Sequence, residues 1–118
     1  MVSQPDDCLF CRIVRDGPHL ATTPGFIAIS DVHPQAPVHL LVIPSRHVES
    51  FREIDAFSPE ESARMLGFIS ETARAHGLED YRVLANVGPS AGQSVFHLHW
   101  HILGEPGARV AAREGERL

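Results

Sequence analysis

The sequence has no apolar run approaching the roughly 20 residues that a membrane span needs, so no membrane partner is expected. It is poor in positive charge. Its ten basic residues, all arginine, face fifteen acidic ones, for a formal net charge of -5. That balance excludes a protein that grips a nucleic-acid backbone by broad electrostatics. It does not exclude a small anionic ligand, because a local site can be electropositive within an acidic protein. Only two cysteines are present, and their spacing in Cys8-Leu9-Phe10-Cys11 rules out a fold stapled by a long-loop disulfide. It suits a metal or a redox couple better. Internal repeats, low-complexity tracts and linkers are absent. Met1 to Asp7 carry neither the basic region nor the apolar stretch of a secretory signal, and a cytoplasmic protein is expected.

A chain of 118 residues with 43% hydrophobic content is long enough for one domain with one core. Residues 8–15 read as a short helix with Phe10, Ile13 and Val14 on a partial apolar face, ended by Asp16-Gly17-Pro18. Residues 19–22 and 26–30 read as strands around a turn at Thr23-Pro24-Gly25. A two-proline loop, 31–37, leads to an apolar strand at 38–43 that is interrupted by His39 and closed by Pro44. Ser58-Pro59-Glu60-Glu61 starts the clearest helix, with an N-cap serine, proline at the first position and glutamate at the third. Met65, Leu66, Ile69 and Ala73 form its expected core face, and Gly77 its stop. Residues 81–85 and 95–103 read as further strands, separated by a loop over 86–94. The pattern predicts an α+β fold, an antiparallel sheet of about five strands with one long helix and a short N-terminal one. Segments 1–7 and 108–118 are expected to be flexible tails of this single domain.

Eight histidines are the unusual feature. In a strand over 95–103 side chains alternate, placing His97, His99 and His101 on one face, roughly 7 Å apart along the chain. Phe96, Leu98, Trp100 and Ile102 would form the core face. Three imidazoles in register, each costly to bury, suit one of three chemistries. They are a catalytic zinc site, a cupin-like metal site, or nucleophilic attack on phosphorus with neighbours binding oxygens and moving a proton. The loop Asn86-Val87-Gly88-Pro89-Ser90-Ala91-Gly92-Gln93-Ser94 offers backbone N–H groups, amides and a hydroxyl suited to an anion-binding concavity. That favours phosphate over a bare metal site. His19, His33 and His76 are expected in solvent.

The run His97-Leu98-His99-Trp100-His101-Ile102-Leu103 resembles the signature of the histidine-triad family of nucleotide hydrolases and transferases. So do residues 31–44, from Asp31-Val32-His33-Pro34 to Val42-Ile43-Pro44, and Gly92-Gln93-Ser94-Val95-Phe96. The resemblance implies a homodimer of α+β subunits with a purine nucleotide in a cleft on the sheet. It makes His99 the nucleophile, His101 its partner on the phosphate and leaving group, and His39 a neighbour that fixes the tautomer of His99. Asn86, Gly92, Gln93 and Ser94 match positions that bind the α-phosphate, and Ser94 or a histidine would relay a proton to the leaving group. Asp31 matches the acid that holds the ribose hydroxyls, with Val32, Phe10 and Leu9 near the base.

Members of that family with Cys-x-x-Cys near the N-terminus also imply a structural zinc, held here by Cys8, Cys11, His47 and His97. No metal is expected in catalysis. The expected activity is hydrolysis of AMP or GMP phosphoramidates through a nucleotidyl-histidine. The alternatives are a dinucleoside polyphosphate hydrolase or a nucleotide-binding module with vestigial catalysis. After Gly104 the tail lacks the Gly-Gly-Arg run and tryptophan-proline end of the phosphoramidase branch. Trp100 is bulky for its position in the motif and is expected to pack into the core behind the sheet.

Overall fold

The computed structural model describes residues 7–107, so the two expected tails lie outside the described residues except for Asp7. Helix α1 (Leu9–Asp16) is followed by strands β1 (Ala21–Thr23), β2 (Phe26–Ser30) and β3 (Val38–Pro44). A 3-10 segment (Phe51–Ala56) then leads to α2 (Pro59–Ala75), β4 (Tyr81–Leu84), a 3-10 turn (Pro89–Ala91) and β5 (Trp100–Gly104). The five strands form one sheet in the order β1-β2-β3-β5-β4, and every neighbouring pair is antiparallel.

Period-two patterning divides the strands between two apolar layers. Phe26 and Ala28 of β2, Leu40 and Val42 of β3, and Ile102 of β5 face α2, where Met65, Phe68, Ile69 and Ala73 cover them. Ile27, Ile29, Leu41 and Ile43 point the other way and pack on Phe10, with Ile13 and Val14 of α1 alongside. Helix α2 begins as its sequence dictates. The Ser58 side chain accepts from Glu61 N, while the Glu61 carboxylate accepts from Ser58 N, closing a reciprocal capping box.

Two expected core positions differ. Leu66 is 56% exposed, because the inner stripe of α2 runs through Met65, Phe68, Ile69 and Thr72 instead. Phe96 is also exposed, and the cause lies in β5. That strand starts at Trp100 rather than at Val95, since its ladder with β3 ends at the pair Val42↔Trp100. Residues 95–99 leave the sheet as irregular chain, and strand alternation does not govern them. Leu98 nevertheless reaches the α2-side core. Trp100 packs partly buried against the same layer, with its ring edge-on to Phe51 at 5.6 Å.

Candidate active site

The α1 face of the sheet carries the reactive groups. His39 on β3 pairs in register with Leu103, and His101 on β5 with Leu41. The two histidines are therefore diagonal neighbours on one face. His39 Nε2 lies 2.8 Å from His101 Nδ1 and 3.4 Å from the Asp31 carboxylate. The Gln35 backbone N–H donates to His39 Nδ1 at 3.0 Å. An imidazole nitrogen that accepts carries no proton, so the His39 proton sits on Nε2 and is donated to His101 Nδ1. By the same rule His101 carries its own proton on Nε2. That nitrogen is buried and has no partner among the described residues, a donor left over for an incoming acceptor.

His99 is oriented differently from the sequence-based expectation. Its tautomer is set by the His97 carbonyl, which accepts from His99 Nδ1 at 2.8 Å, whereas His39 is bonded to His101. The cause is again the early end of β5: outside the ladder the chain bends at residues 95–97, and the His97 carbonyl meets His99 Nδ1. The Nε2 of His99 is left with a lone pair. His99 is buried, edge-on to Phe10 at 5.0 Å and with its ring centroid 5.1 Å from that of His101. Burial holds its pKa below the ordinary imidazole value, against the raising effects of the His97 hydrogen bond and the Asp31 carboxylate. Burial, followed by His99 and His39, pushes His101 down to about 4. Both rings therefore favour the neutral state that a nucleophile and its neutral donor require.

The loop before His97 is braced internally. Gln93, buried, accepts from Gly88 N at 2.9 Å and donates to Glu49 O and Val95 O. Asn86 Nδ2 donates to Ala91 O at 2.8 Å. Both side chains brace the loop, and Ser94 is exposed. Gly92 turns the chain at φ 94°, where a Cβ would meet the Asn86 amide at 3.4 Å. Asp31 Oδ1 accepts from His33 N at 2.8 Å. Beside Asp31, a largely apolar cavity of about 380 Å³ is lined by Ile13, Pro18, Leu20, Ile29 and Val32, with His19 and Ser30. Leu9 instead borders a separate cavity that it shares with Cys8, His47 and Ser94. Of the three histidines expected in solvent, His33 and His19 are exposed, with His19 Nε2 on Ile13 O. His76 is half-buried at the end of α2 and bonded to Thr72 O.

Cys8, Cys11, His47 and His97 bring one ligand atom each to within 4.8 Å of one another. Cys8 caps α1, its sulfur accepting from Cys11 N. His97 Nδ1 lies 3.4 Å from Cys8 Sγ and 3.5 Å from Cys11 Sγ, and His47 Nδ1 lies 3.3 Å from Cys11 Sγ. A tetrahedral ion bonded at about 2.3 Å to sulfur and about 2.0 Å to nitrogen separates those donors by roughly 3.5 Å. His97 Nε2 donates to Pro44 O at 2.8 Å, so its Nδ1 lone pair faces the sulfurs, the tautomer a ligand needs. The donor set fits a closed zinc site. Asp31, His39 and His101 also cluster, but there His39 Nε2 carries a proton, and the group is a hydrogen-bond relay.

The HIT domain family model matches residues 14–107. The chain belongs to the HIT family. Among HIT relatives, HitA of Neisseria gonorrhoeae is 36% identical over 105 residues, covering 86% of this chain and 98% of that protein. The adenosine 5'-monophosphoramidase hnt1 of Schizosaccharomyces pombe is 39% identical over 102 residues, covering 84% of this chain and 74% of its own. A solved HIT family hydrolase from Clostridium thermocellum superposes with a TM-score of 0.80 at 34% identity, over 92% of this chain and 98% of that one. Cys8 and Cys11 lie outside the HIT match.

Three contributions were missed by sequence reasoning: the Gln35 amide, the His97 carbonyl and the buried Nε2 of His101. Two are main-chain groups, which no residue type announces. The third follows from a tautomer that only the hydrogen bonds define.

Proposed function

We propose that the chain hydrolyses AMP or GMP phosphoramidates at the α-phosphate through a nucleotidyl-His99 intermediate. The observation that carries this reading is the hydrogen bond from His99 Nδ1 to the His97 carbonyl, which leaves Nε2 unprotonated and able to act as a nucleophile. In the first step a bond forms between His99 Nε2 and phosphorus, and the bond from phosphorus to the leaving amine breaks. The amine departs with a proton relayed by Ser94 or by the His101 Nε2–H. A water molecule then attacks phosphorus, its proton returns to the relay that protonated the amine, and the bond from phosphorus to His99 Nε2 breaks, releasing the nucleoside monophosphate. Donors on the non-bridging oxygens, His101 Nε2–H among them, would stabilise the transition-state charge. Asp31 would accept from the ribose hydroxyls, with the purine over the cavity beside Val32. The name of the hnt1 relative, an adenosine 5'-monophosphoramidase, supports the choice of substrate.

Zinc on Cys8, Cys11, His47 and His97 is part of the same reading, as is a homodimer. Bound there, the ion supplies structural cross-linking and no open coordination position. For the mechanism, His99→Ala should abolish turnover of an AMP amidate while AMP still binds by calorimetry; full activity in that variant would exclude His99 as nucleophile.

A further inference from the structure

The segment that carries the nucleophile is poorly secured by the sheet. Residues 95–99 lie outside any strand; Gln93 holds Val95 and the α2-side core holds Leu98, while the remaining attachments converge on one place. Leu98 N donates to Val48 O at 2.6 Å, and Val48 directly follows His47. The His97 ring is fully buried, with Nε2 on Pro44 O and Nδ1 against both sulfurs. Phe10, between the two cysteines on α1, stands edge-on to His97 at 6.1 Å and to His99 at 5.0 Å. These three attachments run through, or next to, a residue of the Cys8–Cys11–His47–His97 cluster. One of those residues, His97, supplies the carbonyl that fixes the His99 tautomer.

We propose that this cluster, when it holds its metal, sets the position and tautomer of His99 through the main chain of His97. Metal loading then governs the chemical step as well as the anchoring of α1. His97 is on this account a positioning residue: its ring is held by the cluster, and its carbonyl orients the reacting imidazole. The proposal rests on the zinc and nucleotidyl-histidine readings above. A cluster that only staples α1 would raise stability and leave His99 in the folded protein unchanged. A coupled cluster changes the His99 ring itself, in the manner of outer partners whose loss lowers activity by roughly 10–100-fold.

The decisive measurement uses the full chain, kept under reductant, with its histidines 15N-labelled. Long-range 1H–15N spectra of the zinc-loaded and chelator-depleted forms, taken well below unfolding, report which His99 nitrogen carries the proton. The loaded form should show Nδ1–H alone, and depletion should give a tautomer mixture. The kcat on an AMP amidate should fall about tenfold or more, with AMP affinity changed by less than about twofold. In a cadmium-exchanged sample the 113Cd resonance should move when AMP is added. If depletion unfolds the chain, exchange of zinc for the larger cadmium ion decides the matter, and the His99 Nδ1–H resonance and kcat should both shift. Identical His99 spectra in the two metal states, with a 113Cd signal indifferent to AMP, would overturn the proposal. So would failure of the chain to bind either ion. Metal-responsive His99 spectra without turnover of any nucleotide would support the coupling and sink the hydrolase reading alone.

Discussion

At the residue scale the site is an exercise in proton placement. Three imidazoles that look equivalent in the sequence are given three different hydrogen-bond environments. His97 donates from Nε2 to Pro44 O, His99 donates from Nδ1 to His97 O, and His101 accepts at Nδ1 from His39. The spacing of the histidines was legible in the sequence, and so was the candidate set. The division of labour between His39 and His99 was not, because it depends on where β5 begins. His101 also leaves a thermodynamic signature. Its folded pKa of about 4 lies below the ordinary 6.5, through burial, His99 and His39, with Asp31 opposing. The unfolded chain therefore binds a proton that the native site refuses, and stability falls as pH drops from about 6.5 toward 4. Urea midpoints measured between pH 7 and pH 5 should decline in the wild type. The decline should be shallower in His101→Gln.

At the element scale the helices and the first three strands follow from local signals. The Ser58 capping box, Pro59 and the turn at Pro24-Gly25 fall where the sequence places them. The inner face of α2 was only partly legible, because Leu66 and Phe68 are both apolar and periodicity alone does not decide which turns inward. The structure buries Phe68 and exposes Leu66. Phe68→Ala should cost about 3–5 kcal/mol in chemical denaturation, and Leu66→Ala less than about 1 kcal/mol in the isolated chain. Equal losses would contradict this assignment of faces. The bounds of β5 were illegible for a different reason. Alternating apolar and histidine residues continue through 95–103, whereas the ladder with β3 stops at Val42↔Trp100 and the ladder with β4 at Leu84↔His101, and a strand cannot outlast its ladder.

At the scale of the whole molecule the two faces of the sheet have separate tasks. Helix α2 seals one face with an apolar layer, while α1 packs on part of the other, the face that carries His39 and His101. No helix among the described residues is long and apolar enough to cross a membrane. The sheet ends at β1 and β4, and Val83 on the β4 edge is exposed, as is Leu66 on α2. The homodimer expected from the family resemblance would find uncovered apolar surface there. Native mass spectrometry should show an assembly of twice the 13.0 kDa chain with one zinc ion per subunit. A metal-free monomer would refute both expectations.

The amide of Gln35 has a consequence for how such a site tolerates change. It fixes the proton of His39 and, through it, the donor on His101, yet it belongs to the peptide and not to a side chain. Scanning the site with alanine would pass over it: Gln35→Ala keeps the N–H and should retain activity. Gln35→Pro removes that one hydrogen and frees His39 to take either tautomer. Turnover should then fall while the Cys8–Cys11–His47–His97 cluster still takes up its metal. At position 35 the genetic code reaches the chemistry only by declining to write proline.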